Sequence, residues 1–577
     1  MKFINILAHS NIARLTLKFQ TIAIEFIEPL FFFQHPGPIL IFIIRLIGPL
    51  VRIMQPSDRW NLPAFLKRWS TILKVSSPCL TSNKKNIFIF TSYRGQFTLD
   101  IVLAFLLAWR GHRVVLGYFP KLRSPIKDPL VDSPNAKSYL NTTLNSIENL
   151  SGGRVRCVDL SDYVGKSPFL DYDFIKQQVH SDIVMKIRKE RLDFSDKYIQ
   201  DAALYYHSLA ENALSAALSY FQHYSNNIDL LLIANGASFE SAYFLHAAKY
   251  FNIPVTTFEK FAFSNARTIT HGGPFYSFTD LDIIFEEASR IKLNNPHIRE
   301  AICEQAWQLL KQRKTSSGSA WGWQYQKKTR SASSIIFLKQ FKLKTNEFVL
   351  ICPNVPFDAG YGSWLTIFPS MRDWLVRSIQ YLITHTDLMI IVRAHPAECK
   401  AGFDLEKVSK ILADANITSD RVIQIAGDSD INTYDLMPLC RFGLVFSSTT
   451  GVEIAMHGKP VIAGANVYYA RCGATLAADS EDTYFQQIDN VIMGLEVESG
   501  AFRKERAALI YSLFHYNLQW HYPYDKPSHV VAMPPAKFPK SPLVQRYIRT
   551  LDVLAMSPTE FREALPELID LSSNPWI

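Results

Sequence analysis

This sequence of 577 residues lacks paired cysteines. Its seven cysteines are scattered and form no C-x-x-C pair, which excludes the spacing of a zinc site and argues against a disulfide framework in so long a chain. We therefore expect a reducing, cytoplasmic setting. An acidic excess is also missing, since the formal net charge is +9, and a basic balance favours an anionic partner such as a phospholipid surface, a nucleotide or an acidic polymer. The lysines and arginines are spread out and form no recognisable nucleic-acid motif, so no nucleic-acid partner is expected.

Long uninterrupted apolar runs are absent too, although residues 1–54 are very apolar. A membrane-spanning helix needs roughly 18 or more apolar residues without charges. Charged residues and prolines interrupt the stretch at Glu25, Glu28, Pro29, Pro36, Pro38, Arg45, Pro49 and Arg52. The short apolar core and cleavage site of a signal peptide are not present. We expect interfacial helices that contact a membrane surface, peripheral on the inner face of the cytoplasmic membrane. The alternative is a helical layer packed on the protein's own core.

The remaining chain predicts two α/β units. In the first, residues 81–310, short apolar runs bounded by turn signals alternate with helical spacing, which predicts a doubly wound parallel sheet. Its strands are predicted at 86–91, 113–119, 155–160, 230–234 and 254–258, and its helices at 99–110, within 172–222 and at 239–250.

In the second unit, residues 335–500, turn residues separate the predicted strands and helices more clearly. Its strands are predicted at 348–352, 388–392, 422–425, 442–446 and 460–462, and its helices near 370–385, 404–414, 432–439 and 451–457. Residues 311–334 mix basic residues with Ser and Thr and predict an interdomain linker. Residues 1–80 are the apolar helical extension, and residues 501–577 predict a helical C-terminal segment. Ligands of open α/β sheets bind beyond the carboxyl ends of the strands, so two facing sheets predict a site in the cleft between them.

A hydroxyl-rich loop follows the strand predicted at 442–446. The helix after it begins near Gly451, and the free N–H groups of a first helical turn form an anion site with the helix dipole. Four hydroxyls add donors for a phosphate: Ser447, Ser448, Thr449 and Thr450. Glu453 lies in the first turn, where a carboxylate could reach ribose hydroxyls. Simple N-capping by these hydroxyls is the alternative.

The strand predicted at 388–392 leads into a second candidate site. Arg393 and His395 alternate there and hence lie on one face. Arginine offers a fixed fork of donors to phosphate or carboxylate, and histidine adds a titratable donor. Pro396 then ends the strand.

Together these blocks resemble the capsule polysaccharide biosynthesis glycosyltransferases, including the capsular Kdo transferases. The similar blocks are Cys352–Asp358 with Phe368–Trp374, Arg393–Pro396, the loop Ser447–Pro460, and more weakly Asn235-Gly236 with Ile253–Glu259. The resemblance spans roughly residues 230–475.

This resemblance implies a GT-B fold, with a nucleotide-sugar donor on the C-terminal domain and an acceptor on the N-terminal one. Position by position, it implies contacts to donor phosphate or sugar carboxylate from Arg393, His395, Ser447, Ser448, Thr449, Thr450 and Gly451. It further implies that Glu453 holds ribose, and that Asn354 and Asp358 line the cleft.

Transfer needs a group that activates the acceptor hydroxyl or, in a retaining mechanism, a carboxylate nucleophile. The first unit offers Glu259, Asp100 and His271. Glu259 follows a strand directly and is expected to point into the cleft. His271 precedes Gly-Gly-Pro and could be a base or a phosphate ligand. A plain structural hydrogen-bonding role is the alternative for both residues.

Asp428-Ser-Asp430 matches the D-x-D pattern of metal-dependent glycosyltransferases, but it precedes a helix start, where acidic residues are favourable. We interpret it as turn and capping chemistry, and expect neither a metal nor another cofactor.

The sequence thus predicts a GT-B glycosyltransferase that moves a sugar from a donor such as CMP-Kdo or a UDP-sugar to a lipid-linked or growing surface polysaccharide. A sugar-nucleotide epimerase would use the same phosphate loop without an acceptor. A CDP-polyol phosphotransferase of the teichoic type would also join a membrane and a cytidine nucleotide. A non-catalytic membrane scaffold with a degenerate transferase fold is the competing interpretation from outside the enzymes.

Overall fold

A computed structural model of the chain describes residues 81–91, 97–119, 144–167, 169–259, 266–275, 285–287, 290, 294–315, 329–355, 367–399, 406–495, 498–521 and 542–568. The predicted extension over residues 1–80 lies outside the described residues. Within the described ranges, no helix is both long enough and apolar enough to cross a membrane.

The first sheet contains seven strands of the described chain. They are β1 (Asn86–Thr91), β2 (Arg113–Tyr118), β3 (Val155–Asp159), β4 (Leu230–Ala234), β5 (Val255–Glu259), β6 (Ala266–His271) and β12 (Gln519–His521). Their order is β12-β6-β5-β4-β1-β2-β3. Neighbours from β5 through β4, β1 and β2 to β3 pair in parallel, whereas β6 pairs antiparallel with both β5 and β12. The parallel strands are apolar runs because helices cover both of their faces.

The second sheet is parallel throughout its five described strands. They are β7 (Phe348–Cys352), β8 (Met389–Arg393), β9 (Val422–Ile425), β10 (Phe442–Val445) and β11 (Val461–Ala463), in the order β11-β10-β7-β8-β9. The central strand β7 is buried at every position, as expected for a strand covered on both faces.

Helices cover both sheets. Those of the first half are α1 (Phe97–Trp109), α2 (Tyr172–Ile187), α3 (Lys197–Tyr224), α4 (Phe239–Tyr250) and α5 (Pro296–Lys314). Those of the second half are α6 (Ser331–Gln340), α7 (Met371–His385), α8 (Val408–Asp414), α9 (Thr433–Leu436), α10 (Thr450–Ala455), α11 (Glu481–Met493), α12 (Gly500–Ser512), α13 (Pro542–Leu554) and α14 (Pro558–Leu568). Helix α5 covers the first residues of the predicted linker and α6 its last ones.

The C-terminal helices pack on the first sheet. Asp552 in α13 accepts a 3.0 Å hydrogen bond from Arg110 Nε, and Thr256 in β5 donates to the carbonyl oxygen of Met556 at 2.9 Å. The chain therefore returns from the second unit to the first.

The predicted helical C-terminal segment also contains a strand, β12, where Gln519 pairs with Thr268 of β6. Its three residues are too few to carry a strand pattern in the sequence.

Glu190, just after α2, joins the two units. Its carboxylate accepts main-chain N–H bonds from Met371 at 2.9 Å and Arg372 at 2.7 Å, in the first turn of α7. The carboxylate of Glu406 in turn accepts the N–H of Glu190 at 3.0 Å. Since α7 and Glu406 follow the carboxyl ends of β7 and β8, this contact lies at the end of the second sheet where ligands bind in open α/β folds.

The predicted fold class is confirmed: two parallel-rich α/β sheets and a largely helical C-terminal region, the architecture that the GT-B type requires. Every predicted strand is observed within one residue of its predicted bounds. The antiparallel strand β6 was not predicted.

Candidate active site

A cavity of about 200 Å³ opens at the carboxyl ends of β1, β4 and β5. Its lining residues are Phe90, Asp100, Ile233, Ala234, Asn235, Ser238, Phe239, Glu240, Ser241 and Glu259. Two of the three predicted catalytic residues, Asp100 and Glu259, therefore line one cavity although they are far apart in the sequence. This is the end of the sheet at which parallel α/β folds bind ligands.

Glu259 is the last residue of β5 and is half-buried. The side-chain amide of Asn235, which follows β4, donates a hydrogen bond of 3.2 Å to Glu259 Oε2. Asn235 has φ 64° and Gly236 has φ 76°, a left-handed conformation that asparagine and glycine tolerate best. This turn directs the Asn235 amide to the carboxylate and so helps to orient it.

Asp100 lies in the first turn of α1 and is 1% exposed. Neither of its carboxylate oxygens makes a well-formed hydrogen bond to another described residue. Burial raises the pKa of Asp100 to about 8, and the nearby Thr91 hydroxyl opposes the rise only in part. Around neutral pH the group is therefore mainly a carboxylic acid, which can donate a hydrogen bond but is a poor base.

The buried carboxyl of Asp100 makes the free energy of unfolding depend on pH. Its folded-state pKa is raised, so the neutral form is favoured in the native protein and stability is lost as pH rises from about 4 to about 8. Asp100→Asn is neutral at every pH and lacks this loss. We therefore expect the free energy of unfolding of the variant to rise relative to that of the wild type as pH increases, by at most about 1.4 kcal/mol per pH unit. Urea unfolding of both proteins at pH 5 and pH 8 measures the difference. An equal difference at the two pH values would contradict the assignment.

The third predicted catalytic residue, His271, lies elsewhere. Strand β6 runs antiparallel to β5, so His271 pairs with Thr256 near the start of β5 whereas Glu259 pairs with Thr268. His271 is 1% exposed, its ring stacks on Phe561 at 4.0 Å, and burial lowers its pKa to about 4. This placement favours the structural alternative for His271, because the residue is buried at the end of an antiparallel strand and does not line the cavity.

The cavity carboxyls do not form a metal-ligand set. Across the part of the chain that is described, no group of three or more His, Cys, Asp or Glu side chains converges closely enough to hold a metal ion. Asp430 of the D-x-D pattern accepts a 2.6 Å hydrogen bond from Ser333 at the start of α6.

The predicted phosphate loop follows β10. Its four hydroxyl residues, 447–450, are all half-buried. Among the described residues, the main-chain N–H groups of Ser448 and Thr449 find no acceptor, whereas the N–H of Thr450 is taken by Ser448 Oγ at 3.2 Å. Two consecutive N–H groups before a helix are donors of the kind that bind phosphate.

The loop is held from two sides. The side chain of Asn354 accepts the N–H of Ser447 at 3.1 Å and donates to its hydroxyl at 2.9 Å, so it links the ends of β7 and β10. On the other side the Tyr469 hydroxyl donates to the Ser448 carbonyl oxygen. A Cβ at Gly451 would overlap that hydroxyl, which explains the glycine. Asn354 therefore shapes the loop with both ends of its amide.

The guanidinium group of Arg393 is engaged by protein acceptors. Arg393 is 4% exposed, and its guanidinium donates to the carbonyl oxygen of Ala426, to Thr433 Oγ1 at 3.2 Å and to the carbonyl oxygen of Ser429 at 3.5 Å. The residue thus fixes the loop after β9. Half-buried His395 accepts the N–H of Ala397 on Nδ1 at 3.1 Å, which leaves the proton of the neutral ring on Nε2.

Glu453 is also buried, with 1% exposure. It pairs with Arg313 at the end of α5 at 2.9 Å and accepts hydrogen bonds from Tyr511 at 2.9 Å and Tyr434 at 3.2 Å. Burial by itself would lower the pKa of Arg313, but the Glu453 carboxylate and the tyrosines hold it well above its usual value. The predicted ribose ligand is therefore an internal anchor of α10.

Asp358, predicted to line the cleft, lies outside the described residues. The cavity residues Glu240, Ser238 and Ser241 were not predicted. They follow β4 within seven residues, so a search of every loop after a parallel strand would have found them.

Comparisons with known proteins add little to this geometry. No protein-family model and no curated protein matches the sequence. Among solved structures, the β-Kdo 2,7 transferase KpsC of Thermosulfurimonas dismutans is similar, with 13% identity over 52% of this chain and 82% of its own, and a TM-score of 0.29. UDP-GlcNAc 2-epimerase from Neisseria meningitidis matches with 12% identity over 74% and 95%, at 0.23. The calicheamicin glycosyltransferase CalG4 matches with 12% identity over 78% and 98%, at 0.24. Because these TM-scores are all below 0.5, the similarities support no conclusion about function.

Proposed function

We propose that this protein is a glycosyltransferase that moves a sugar from a nucleotide-sugar donor to a glycan or glycolipid acceptor. One observation supports this most: among the carboxyl groups that line the cavity at the carboxyl ends of β1, β4 and β5, Asp100 is fully buried whereas Glu259 is only half-buried. Pairs of this kind divide acid and base roles in enzymes that act on glycosidic bonds.

Glu259 is the proposed reacting carboxylate. As a general base it would take the proton of an acceptor hydroxyl while that oxygen forms the bond to the anomeric carbon and the nucleotide phosphate leaves with the electron pair of the broken bond. As a nucleophile it would first displace the nucleotide and form a glycosyl ester, which the acceptor hydroxyl then displaces. Asp100 in its neutral form would donate a hydrogen bond to a sugar oxygen in either mechanism.

The proposed donor site is the hydroxyl loop of residues 447–450, with the N–H groups of Ser448 and Thr449 directed to the donor phosphate and His395 as a further donor. Arg393, Asn354 and Glu453 act from behind this surface. A CMP-linked acid sugar such as Kdo and UDP-sugars are the donors we favour, as the resemblance implies.

The proposed acceptor is a lipid-linked or growing surface polysaccharide. The apolar composition of residues 1–54 and the net charge of +9 support a peripheral position on the inner face of the cytoplasmic membrane.

A thermal-shift screen of the full chain against CMP, CDP, UDP, GDP and ADP tests the donor site. We expect one nucleotide to stabilise the protein, by about 2.7 kcal/mol at 100 times its dissociation constant. Thr449→Pro should fold, because Thr449 has φ −55°, which proline adopts, but it loses one proposed phosphate donor. Its nucleotide shift should be smaller.

Thr449→Ala is the matched control, since it removes the hydroxyl and keeps the N–H. It should keep more of the nucleotide shift than Thr449→Pro. If no nucleotide stabilises the wild type, or if Thr449→Pro binds as well as the wild type does, the donor-site assignment fails. Failure of every nucleotide would favour the non-catalytic scaffold.

A further inference from the structure

The loop between β4 and α4 forms one wall of the cavity and has a strained backbone conformation. Three residues of this loop and its junction with α4 have left-handed φ values: Asn235 at 64°, Gly236 at 76° and Phe239, the first residue of α4, at 50°. Glycine and asparagine tolerate this region best, whereas a bulky residue such as phenylalanine rarely adopts it. A bulky residue persists in such a conformation only where surrounding contacts over-determine it.

Asp182 of α2 supplies such a contact. It is fully buried, and its Oδ1 accepts the main-chain N–H of Phe239 at 2.9 Å. The side chain of Gln178, one turn earlier on α2, donates to the same Oδ1 at 2.9 Å and to the carbonyl oxygen of Ala237 at 3.2 Å. Two side chains of one helix thus hold both the donor and the acceptor groups of the loop's main chain.

Asp182 does not line the cavity, but Phe239, whose N–H it accepts, does. Asn235 begins the loop and donates to Glu259, and Glu240 follows Phe239 directly. Burial raises the pKa of Asp182 to about 7, but the hydrogen bonds from Phe239 and Gln178 oppose the rise, because they are stronger to the charged carboxylate than to a neutral acceptor.

We infer that Asp182 is a positioning residue: its carboxylate fixes the loop of residues 235–239, and through Asn235 it sets the orientation of Glu259 in the cavity. This inference rests on the proposed function for its effect on turnover, but its effect on the loop stands independently. Small displacements of reacting groups cost large factors in rate, so the residue should influence kcat more than donor binding.

The test compares Asp182→Asn with Asp173→Asn in the full-length protein. Asp173 is an exposed acidic residue in the first turn of the same helix, so its variant controls for loss of charge on α2. We expect Asp182→Asn to lower kcat by roughly 10- to 100-fold with unchanged nucleotide affinity, since the donor loop lies on the other unit. Asp173→Asn should match the wild type in both.

Hydrogen exchange followed by mass spectrometry gives the second readout. The amides of residues 235–241 should exchange faster in Asp182→Asn, while those of β7 and β10 stay as in the wild type. If Asp182→Asn does not fold, Gln178→Met, which removes both side-chain bonds of Gln178, serves in the same two measurements.

Unchanged kcat in a folded variant would overturn the inference. So would a fall in kcat that lowering the temperature abolishes, because that indicates a general loss of stability. If the wild type transfers no sugar, the proposed function fails, whereas unchanged exchange at 235–241 would refute the role of Asp182 itself.

Discussion

Glu259→Gln is expected to lower sugar transfer by a factor of about 10² to 10⁴, the usual range for removal of a general acid or base, while nucleotide binding stays unchanged. The amide has nearly the same shape as the carboxylate and can still accept the hydrogen bond from Asn235, but it is neither a base nor a nucleophile. Initial rates of nucleotide release with and without acceptor, together with the nucleotide-induced thermal shift, separate turnover from binding.

Glu300→Gln is the matched control. Glu300 is an exposed glutamate of α5, so its variant makes the same chemical change away from the cavity and should retain wild-type turnover. A Glu259→Gln protein that transfers sugar at the wild-type rate would remove Glu259 from the mechanism and direct attention to Glu240, the other glutamate in the cavity.

The second large effect concerns stability. Glu453→Ala leaves the guanidinium of Arg313 without its carboxylate partner in the core beneath the phosphate loop, and two tyrosine hydroxyls lose their acceptor. Breaking a buried ion pair on one side costs about 3–5 kcal/mol. Because the Arg313 side chain keeps 22% exposure, we expect the lower end of that range. Urea unfolding of the wild type and the variant measures the loss in free energy of unfolding.

Two comparisons make this prediction specific. The double variant Arg313→Met with Glu453→Leu removes both charges and should recover much of the lost stability, since apolar replacement of a buried pair is often neutral or better. Glu287→Ala breaks a pair with Arg290, whose side chain is 72% exposed, and should change stability little. A Glu453→Ala protein as stable as the wild type would show that the pair does not anchor α10.

The sequence predicts the sheets well because the strands of a covered parallel sheet are short apolar runs between turn signals. It misses β6 because the polar residues of Ala266–His271 alternate with few apolar ones, and its partner β12 comes from a segment more than 200 residues later. Long-range antiparallel pairing of this kind leaves no local pattern.

The site is predicted in part for a similar reason. Position at the end of a parallel strand identifies Glu259, whereas the direction in which a side chain points depends on packing from other segments. Arg393 and Glu453 have the residue types and spacing of ligands, but partners from the loop after β9 and from α5, α9 and α12 bind them internally. His271 does not line the cavity, because it ends β6, a strand that was not predicted.

The most direct test of glycosyl transfer is the mass spectrum of the product formed by the full-length protein from an acceptor glycan and the sugar nucleotide whose nucleotide stabilises it. We predict that the acceptor gains the mass of one sugar without phosphorus, with release of the nucleotide, and that Glu259→Gln forms none of this product. A product that carries a phosphodiester would contradict glycosyl transfer and favour a polyol phosphotransferase, and an isomerised sugar nucleotide with an unchanged acceptor would favour an epimerase.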